Sequence, residues 1–245
     1  MKIAVVIAAY DEKENIGILT SRLMNTLDAM NVDWTLIYVI EGVDGTLEVA
    51  RKFADHHPQI RILYNPTPSG LGRAFRLGFQ AVPSDEDMVV TMDADLNHQP
   101  EEIPILIEAA RQTGADLVIG SRRVHKSNVK GVPLWKTLTS LIVGAIMNFV
   151  LQVRIKDMTS GFRVYSAPLL KRITFYNDDF AFLPEIVVQA AAMDALIIER
   201  PIHFIYREAG QSKMAIWKTS LSYLKLFARY VFHRSTFKIL PIEKR

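Results

Sequence analysis

The chain of 245 residues contains no cysteine. That excludes a disulfide framework, a thiolate metal site and a cysteine nucleophile, and it permits a reducing compartment. Two common catalytic loops are also missing: there is no G-x-x-x-x-G-K-[ST] phosphate loop and no G-x-S-x-G elbow. None of the six histidines stands in a zinc-binding set, and His56-His57 are not at metal spacing on one helical face. Residues 1–7 lack the long apolar stretch and cleavage site of a signal peptide and read as a strand. The longest uncharged run, residues 137–153, is too short and too polar to favour a membrane span; it reads as a buried or interface-lying helix. Acid is missing locally. Residues 121–156 hold 7 basic and no acidic side chains, and residues 200–245 hold 10 and 2, whereas residues 1–120 hold 9 and 18. Basic blocks behind an acidic half suit phosphate groups or an anionic membrane surface. They carry no nucleic-acid motif.

What is present is a regular alternation. Strand-length apolar runs at 2–9, 34–40, 60–64, 88–92 and 116–119 are separated by helical spacing at 15–30, 46–56, 71–82 and 101–112. This predicts an α/β chain with a mostly parallel sheet flanked by helices. Ligands in such sheets sit beyond the carboxyl ends of the strands. Near the end, Lys218, Lys225 and Arg229 fall on one stripe of an otherwise apolar segment, 216–232. That is the pattern of a basic amphipathic helix at a membrane surface or a partner.

The loops after strands hold the chemistry. Val89-Val90-Thr91-Met92-Asp93-Ala94-Asp95 places two carboxylates on one side of an extended segment, at its carboxyl end. Paired hard oxygen ligands suit Mg²⁺ or Mn²⁺, which in turn bind diphosphate oxygens. His98 stands close enough to support the pair. Asp85-Glu86-Asp87 has the same spacing but precedes its strand and is read as coincidence. Gly70-Leu71-Gly72 opens a helix, where backbone can approach an anion or simply turn. Three loops carry Arg or Lys beside small residues: Gly120-Ser121-Arg122-Arg123, Asp157-Met158-Thr159-Ser160-Gly161-Phe162-Arg163, and the segment from Tyr206 to Lys213. Each suits an oxyanion.

Taken in order, these pieces resemble the dolichol-phosphate mannosyltransferase branch of the family 2 glycosyltransferases. The resembling residues are Ala9-Tyr10-Asp11-Glu12-Lys13-Glu14-Asn15, Asp44-Gly45-Thr46, Gly70-Leu71-Gly72, Asp93-Ala94-Asp95-Leu96-Asn97-His98, Gly120-Ser121-Arg122, Thr159-Ser160-Gly161-Phe162-Arg163 and Arg207-x-x-Gly210-x-Ser212-Lys213. The resemblance implies a GT-A type fold, a GDP-mannose donor, a divalent cation and a polyprenyl phosphate acceptor. It implies Ala9, Tyr10, Glu12, Glu41 and Gly70 at the donor site, and Asp93, Asp95 and Asn97 at the cation. Arg122, Lys136 and Ser140 would meet the acceptor phosphate. Arg207 and Lys213 would close over donor and acceptor.

The branch's usual D-D-G-S-x-D-G-T reads here Ile40-Glu41-Gly42-Val43-Asp44-Gly45-Thr46, one residue shorter and without the first carboxylate. Asn97 replaces Gln, and Lys136 replaces Arg. Alternatives therefore stay open: transfer from another nucleotide sugar such as UDP-glucose, or a silent nucleotide-sugar-binding subunit. A phosphate acceptor needs no general base; for a sugar hydroxyl the candidates are Asp157 and Glu185. The expected layout is a catalytic domain over 1–213, including an interface helix at 133–155, and a basic amphipathic tail over 214–245. The protein would work peripherally at the cytoplasmic face of a membrane, on its own amphipathic surface or with an anchoring partner subunit.

Overall fold

We analysed a computed structural model, which describes residues 1–124, 128–130, 141, 144–145, 148–149 and 154–205. The first half alternates as expected: β1 (Lys2–Tyr10), α1 (Lys13–Ala29), β2 (Asp33–Glu41), α2 (Thr46–Ala54), β3 (Ile60–Asn65), α3 (Leu71–Gln80) and β4 (Met88–Thr91). A 3₁₀ turn at Pro100–Glu102 leads into α4 (Ile103–Thr113), then β5 (Leu117–Ser121) and a short β6 (Asn128–Lys130). The second half adds β7 (Arg163–Ser166), α5 (Ala167–Arg172), α6 (Phe182–Ala192), β8 (Ile197–Pro201) and β9 (His203–Ile205).

Seven strands form one sheet in the order β3-β2-β1-β4-β7-β5-β8; β6 and β9 form a second, two-stranded sheet. All neighbours in the large sheet are parallel except β7, which runs antiparallel between β4 and β5. β1 is buried on both faces because helices cover both. Ile3, Val5, Ile7 and Ala9 meet Ile16, Leu19, Leu23 and Leu27 of α1, whose spacing is one helical face. Ala4 and Val6 point the other way, into a cluster with Phe75 of α3 and Phe182, Ile186 and Val187 of α6. This is the three-layer solution for a mostly parallel sheet. No described helix is long and apolar enough to cross a membrane.

β7 departs from the sequence expectation, which placed Arg163 in a polar turn. The strand is short and starts with a charged residue, so its apolar run is brief. Arg163 is nevertheless fully buried. Its guanidinium donates to the carbonyl oxygens of Ser160 (2.8 Å), Leu183 (2.9 Å) and Met158 (2.6 Å). Arg163 thus shapes the 157–162 loop and does not face an oxyanion.

Candidate active site

β2 and β3 lie on one side of β1, and β4 lies on the other. The strand order therefore reverses at β1/β4, and the crevice beyond their carboxyl ends is where an open α/β sheet binds its ligand. Tyr10, Glu41 and Asn65 are register partners along that edge. Tyr10 is exposed. Asp11 beside it pushes its phenol up. Ala9 is buried in the core, so only its backbone faces the edge. Glu12 accepts from the Asn15 side chain at 2.6 Å. Its N–H donates to Thr46 Oγ1 at 2.8 Å, while Lys13 N–H donates to Asp44 at 3.1 Å, so the β1 and β2 loops are stitched together. Glu41 is buried and accepts from Ser69 N–H at 3.1 Å. It pins the loop that ends in Gly70. The glycines of that loop serve the chain's own backbone: a Cβ on Gly70 would stand 2.4 Å from Asp178 O, and one on Gly72 2.1 Å from Asn177 O. Gly72 N–H is taken by Asp178 O at 2.8 Å.

Just past β4, Asp93 and Asp95 enter the same crevice from its other side. Leu96 between Asp95 and Asn97 has φ 61°, and Asp11 at the end of β1 has φ 51°. Such left-handed non-glycine residues persist where the surroundings enforce them, often at functional sites. Here Asp95 accepts from Asn97 N–H at 3.1 Å and from the Asn97 side-chain amide, fixing the turn. Asn97 itself is buried, braced behind Asp95. Asp93 keeps 38% of its side chain exposed. Burial pushes its carboxyl up, against the pull of Arg122 and Arg163. A Cβ on Gly161 would lie 2.5 Å from Asp93 Oδ1, so only glycine lets the 157–162 loop approach this carboxylate. Thr91 Oγ1 donates to Gly161 O at 2.8 Å and holds that loop on β4. His98 is buried behind, and burial pushes its imidazole down to about 4. Asp85 and Asp87 bond to Lys2, at the opposite end of β1.

The residues fit a small divalent cation. Asp93 and Asp95 offer two carboxylates in one short loop, and no set of three or more Asp, Glu, His or Cys that could hold a metal occurs among the described residues. Mg²⁺ and Mn²⁺ sites commonly take one or two carboxylates and leave the remaining positions to phosphate oxygens and water.

Past β5, Arg122 forms a two-pronged ion pair with Asp157, at 2.8 and 2.7 Å, and its N–H donates to the same carboxylate at 2.9 Å. Asp157 is fully buried; burial pushes its carboxyl up, but Arg122 overrides that and holds it well below the usual range. Arg122 also lies over the Phe204 ring at 5.1 Å. Glu185 is buried and accepts from Tyr176 N–H at 3.1 Å, Asn177 N–H at 3.0 Å and the Asn177 side chain at 2.7 Å. Both base candidates are therefore engaged in holding loops. Lys136, Ser140, Arg207 and Lys213 lie outside the described residues, as do segment 214–245 and most of 133–155. In sequence, β9 ends two residues before Arg207. Ile205 N–H donates to Asn97 O at 3.0 Å, and His203 Nδ1 meets Glu102 at 2.7 Å. These contacts tie β9 to the aspartate loop and the turn that follows it; no local pattern signals them, since they join residues about a hundred positions apart.

The chain matches the family model described as "Glycosyl transferase family 2" over residues 4–174. It is 33% identical over 219 residues to an undecaprenyl-phosphate mannosyltransferase of Micrococcus luteus, covering 88% of each. It is 33% identical to a dolichol-phosphate mannosyltransferase of Pyrococcus furiosus, covering 92% of this chain and 62% of that one. It is 31% identical to a polyprenol monophosphomannose synthase of Mycolicibacterium smegmatis, covering 86% and 80%. Among solved structures it is similar to glucosyl-3-phosphoglycerate synthase from Mycobacterium tuberculosis in complex with Mn²⁺, UDP and phosphoglyceric acid. The TM-score there is 0.70 at 19% identity, over 98% of this chain and 80% of that one. At that identity the likeness concerns the fold.

Proposed function

Because the chain belongs to glycosyltransferase family 2, we propose that it transfers mannose from GDP-mannose to a polyprenyl phosphate at a membrane surface. The fold is of the GT-A type. The observation that carries the reading is the position of Asp93 and Asp95, past β4 at the reversal of strand order and opposite Tyr10 and Glu41. The shared names of the relatives support the mannosyl donor and the lipid phosphate acceptor.

In this reading Tyr10, Glu12 and the Glu41-pinned loop bind the nucleotide end. Asp93 and Asp95, braced by Asn97, hold Mg²⁺ or Mn²⁺, which supplies positive charge to the leaving diphosphate. Arg122 is preset by Asp157. Together with Lys136, Ser140, Arg207 and Lys213 it offsets the repulsion between two approaching anions. An acceptor phosphate oxygen bonds to the sugar C1, and the C1–O bond to the diphosphate breaks. GDP leaves with the electron pair, and the anomeric centre inverts. The acceptor is already largely ionised near neutrality, with a second pKa of about 6. It needs no enzyme base, in keeping with the engaged Asp157 and Glu185. The basic segments would hold the protein peripherally at the cytoplasmic face, alone or with an anchoring subunit.

The test mixes the purified chain with Mn²⁺ or Mg²⁺, a short polyprenyl phosphate and either GDP-mannose or UDP-glucose. Formation of lipid-linked mannose, lost by at least a hundredfold in Asp95→Ala, is the expected result. The altered loop at 40–46 motivates the UDP-glucose arm; glucose transfer in place of mannose would move the donor assignment. Nucleotide binding without turnover on any donor would reduce the protein to a binding subunit.

A further inference from the structure

His98 is an odd choice for its place. Its ring is 1% exposed and boxed between Phe162, at 5.4 Å between ring centroids, and Phe204, at 5.2 Å. A third phenylalanine would fill such a box. Instead the chain buries two ring nitrogens, neither of which has a hydrogen-bond partner. Buried polar atoms without partners are uncommon and destabilising, so each calls for a reason. The nearest acidic atom is Asp93 Oδ2, 3.4 Å from His98 Nδ1, though not in hydrogen-bond alignment. Asp93 Oδ1 is pressed on the other side by Gly161. The carboxylate thus has a wall at one oxygen and an unspent donor beside the other.

We propose that His98 is a positioning residue: its Nδ1–H takes up Asp93 Oδ2 when the carboxylate turns to a cation, and so fixes that carboxylate's rotation. This rests on the reading of Asp93 as a cation ligand. Groups behind metal ligands commonly orient them in this way, and their loss typically lowers metal affinity about 10–100-fold. Contacts that are long in the empty site commonly tighten in the loaded one. Phe162 and Phe204 pack on the imidazole, and the backbone bridge of His98 to Phe204 holds the box shut.

The test measures Mn²⁺ affinity of the full chain by the electron paramagnetic resonance signal of the free ion, with GDP present, alongside thermal melts. Two variants separate donation from packing. His98→Phe keeps the ring volume and removes the donor. His98→Asn loses volume but places its amide N–H near the position of Nδ1. Donation predicts that His98→Phe binds Mn²⁺ at least about tenfold more weakly with an unchanged or higher melting midpoint. It also predicts that His98→Asn stays within about threefold of the unaltered chain. Wild-type affinity in His98→Phe, or weakening in His98→Asn equal to that in His98→Phe, would overturn it. Should the unaltered chain itself bind no Mn²⁺ with GDP, the cation site falls and this inference with it.

Discussion

Asp157 is the residue that holds Arg122, which we propose to face the acceptor. It is fully buried, and its charge is met by Arg122 through two side-chain bonds and one backbone bond. Removing one partner of a buried pair leaves the other uncompensated, at a cost of about 3–5 kcal/mol. Asp157→Asn is therefore expected to lower stability by that order at neutral pH and to weaken transfer through a displaced Arg122. The pH dependence has a definite sign. The folded carboxyl is held below its ordinary value, so its contribution is complete above about pH 5 and drains away as pH falls below that toward the folded value. The gap between the melting curves of the two proteins should start to close below about pH 5 and keep closing through about pH 3; a constant gap would remove the ion pair from the explanation. The sequence shows Asp157 and Arg122 as members of two separate polar loops. What it hides is that they face each other, because they stand 35 positions apart and nothing local encodes the pairing. Asp93 and Asp95 were easier to find, because an apolar run followed by two carboxylates is a local pattern; the structure ends the strand at Thr91 and turns at Ala94–Asp95, so the pair does not share the extended segment that was expected.

At the scale of elements, packing is close where α3 crosses the sheet. A Cβ on Gly78 would stand 2.4 Å from Val6 Cγ1 and 3.2 Å from Val39 Cγ2. Two effects compete in Gly78→Ala. Helix propensity favours alanine by about 1 kcal/mol. Overpacking a filled core typically costs about 1–3 kcal/mol. With a contact this short the clash wins, and a net loss of about 1 kcal/mol or more is expected in chemical denaturation. Adding Val6→Ala should return part of the loss, with a coupling above about 0.5 kcal/mol. A Gly78→Ala protein as stable as the parent would mean that α3 sits farther from β1 than described. This packing explains why the first half was readable element by element. Each of its strands and helices covers the next, so periodicity and contact agree. β7 was not readable, because it enters the sheet from far along the chain and runs against its neighbours. Its short run, Arg163–Ser166, carries no strand pattern of its own; the burial of Arg163 is a tertiary effect.

For the whole molecule the uneven charge is the organising fact. The half that holds Asp93 and Asp95 is acidic, and the segments that follow Arg122 and Arg200 are basic. In the proposed reaction the second would bring a lipid phosphate to the edge of the first. The described residues end at Ile205, one position before the segment that carries Arg207, Lys213 and the stripe of Lys218, Lys225 and Arg229. If that stripe meets an anionic bilayer, each of its cations contributes about 1 kcal/mol near the surface. Changing all three to Glu removes about 3 kcal/mol and adds repulsion, which is at least a hundredfold in partition. Co-sedimentation with phosphatidylserine vesicles should therefore drop steeply in the triple variant and fall in the parent as salt is raised. Residual binding is expected, since the 7 basic side chains of 121–156 remain. Transfer to a short, water-soluble acceptor phosphate should survive, because the changed residues lie outside the proposed site. Unchanged sedimentation of the triple variant would detach the tail from the membrane and leave the 121–156 segment, or a partner subunit, to bring the protein to its lipid.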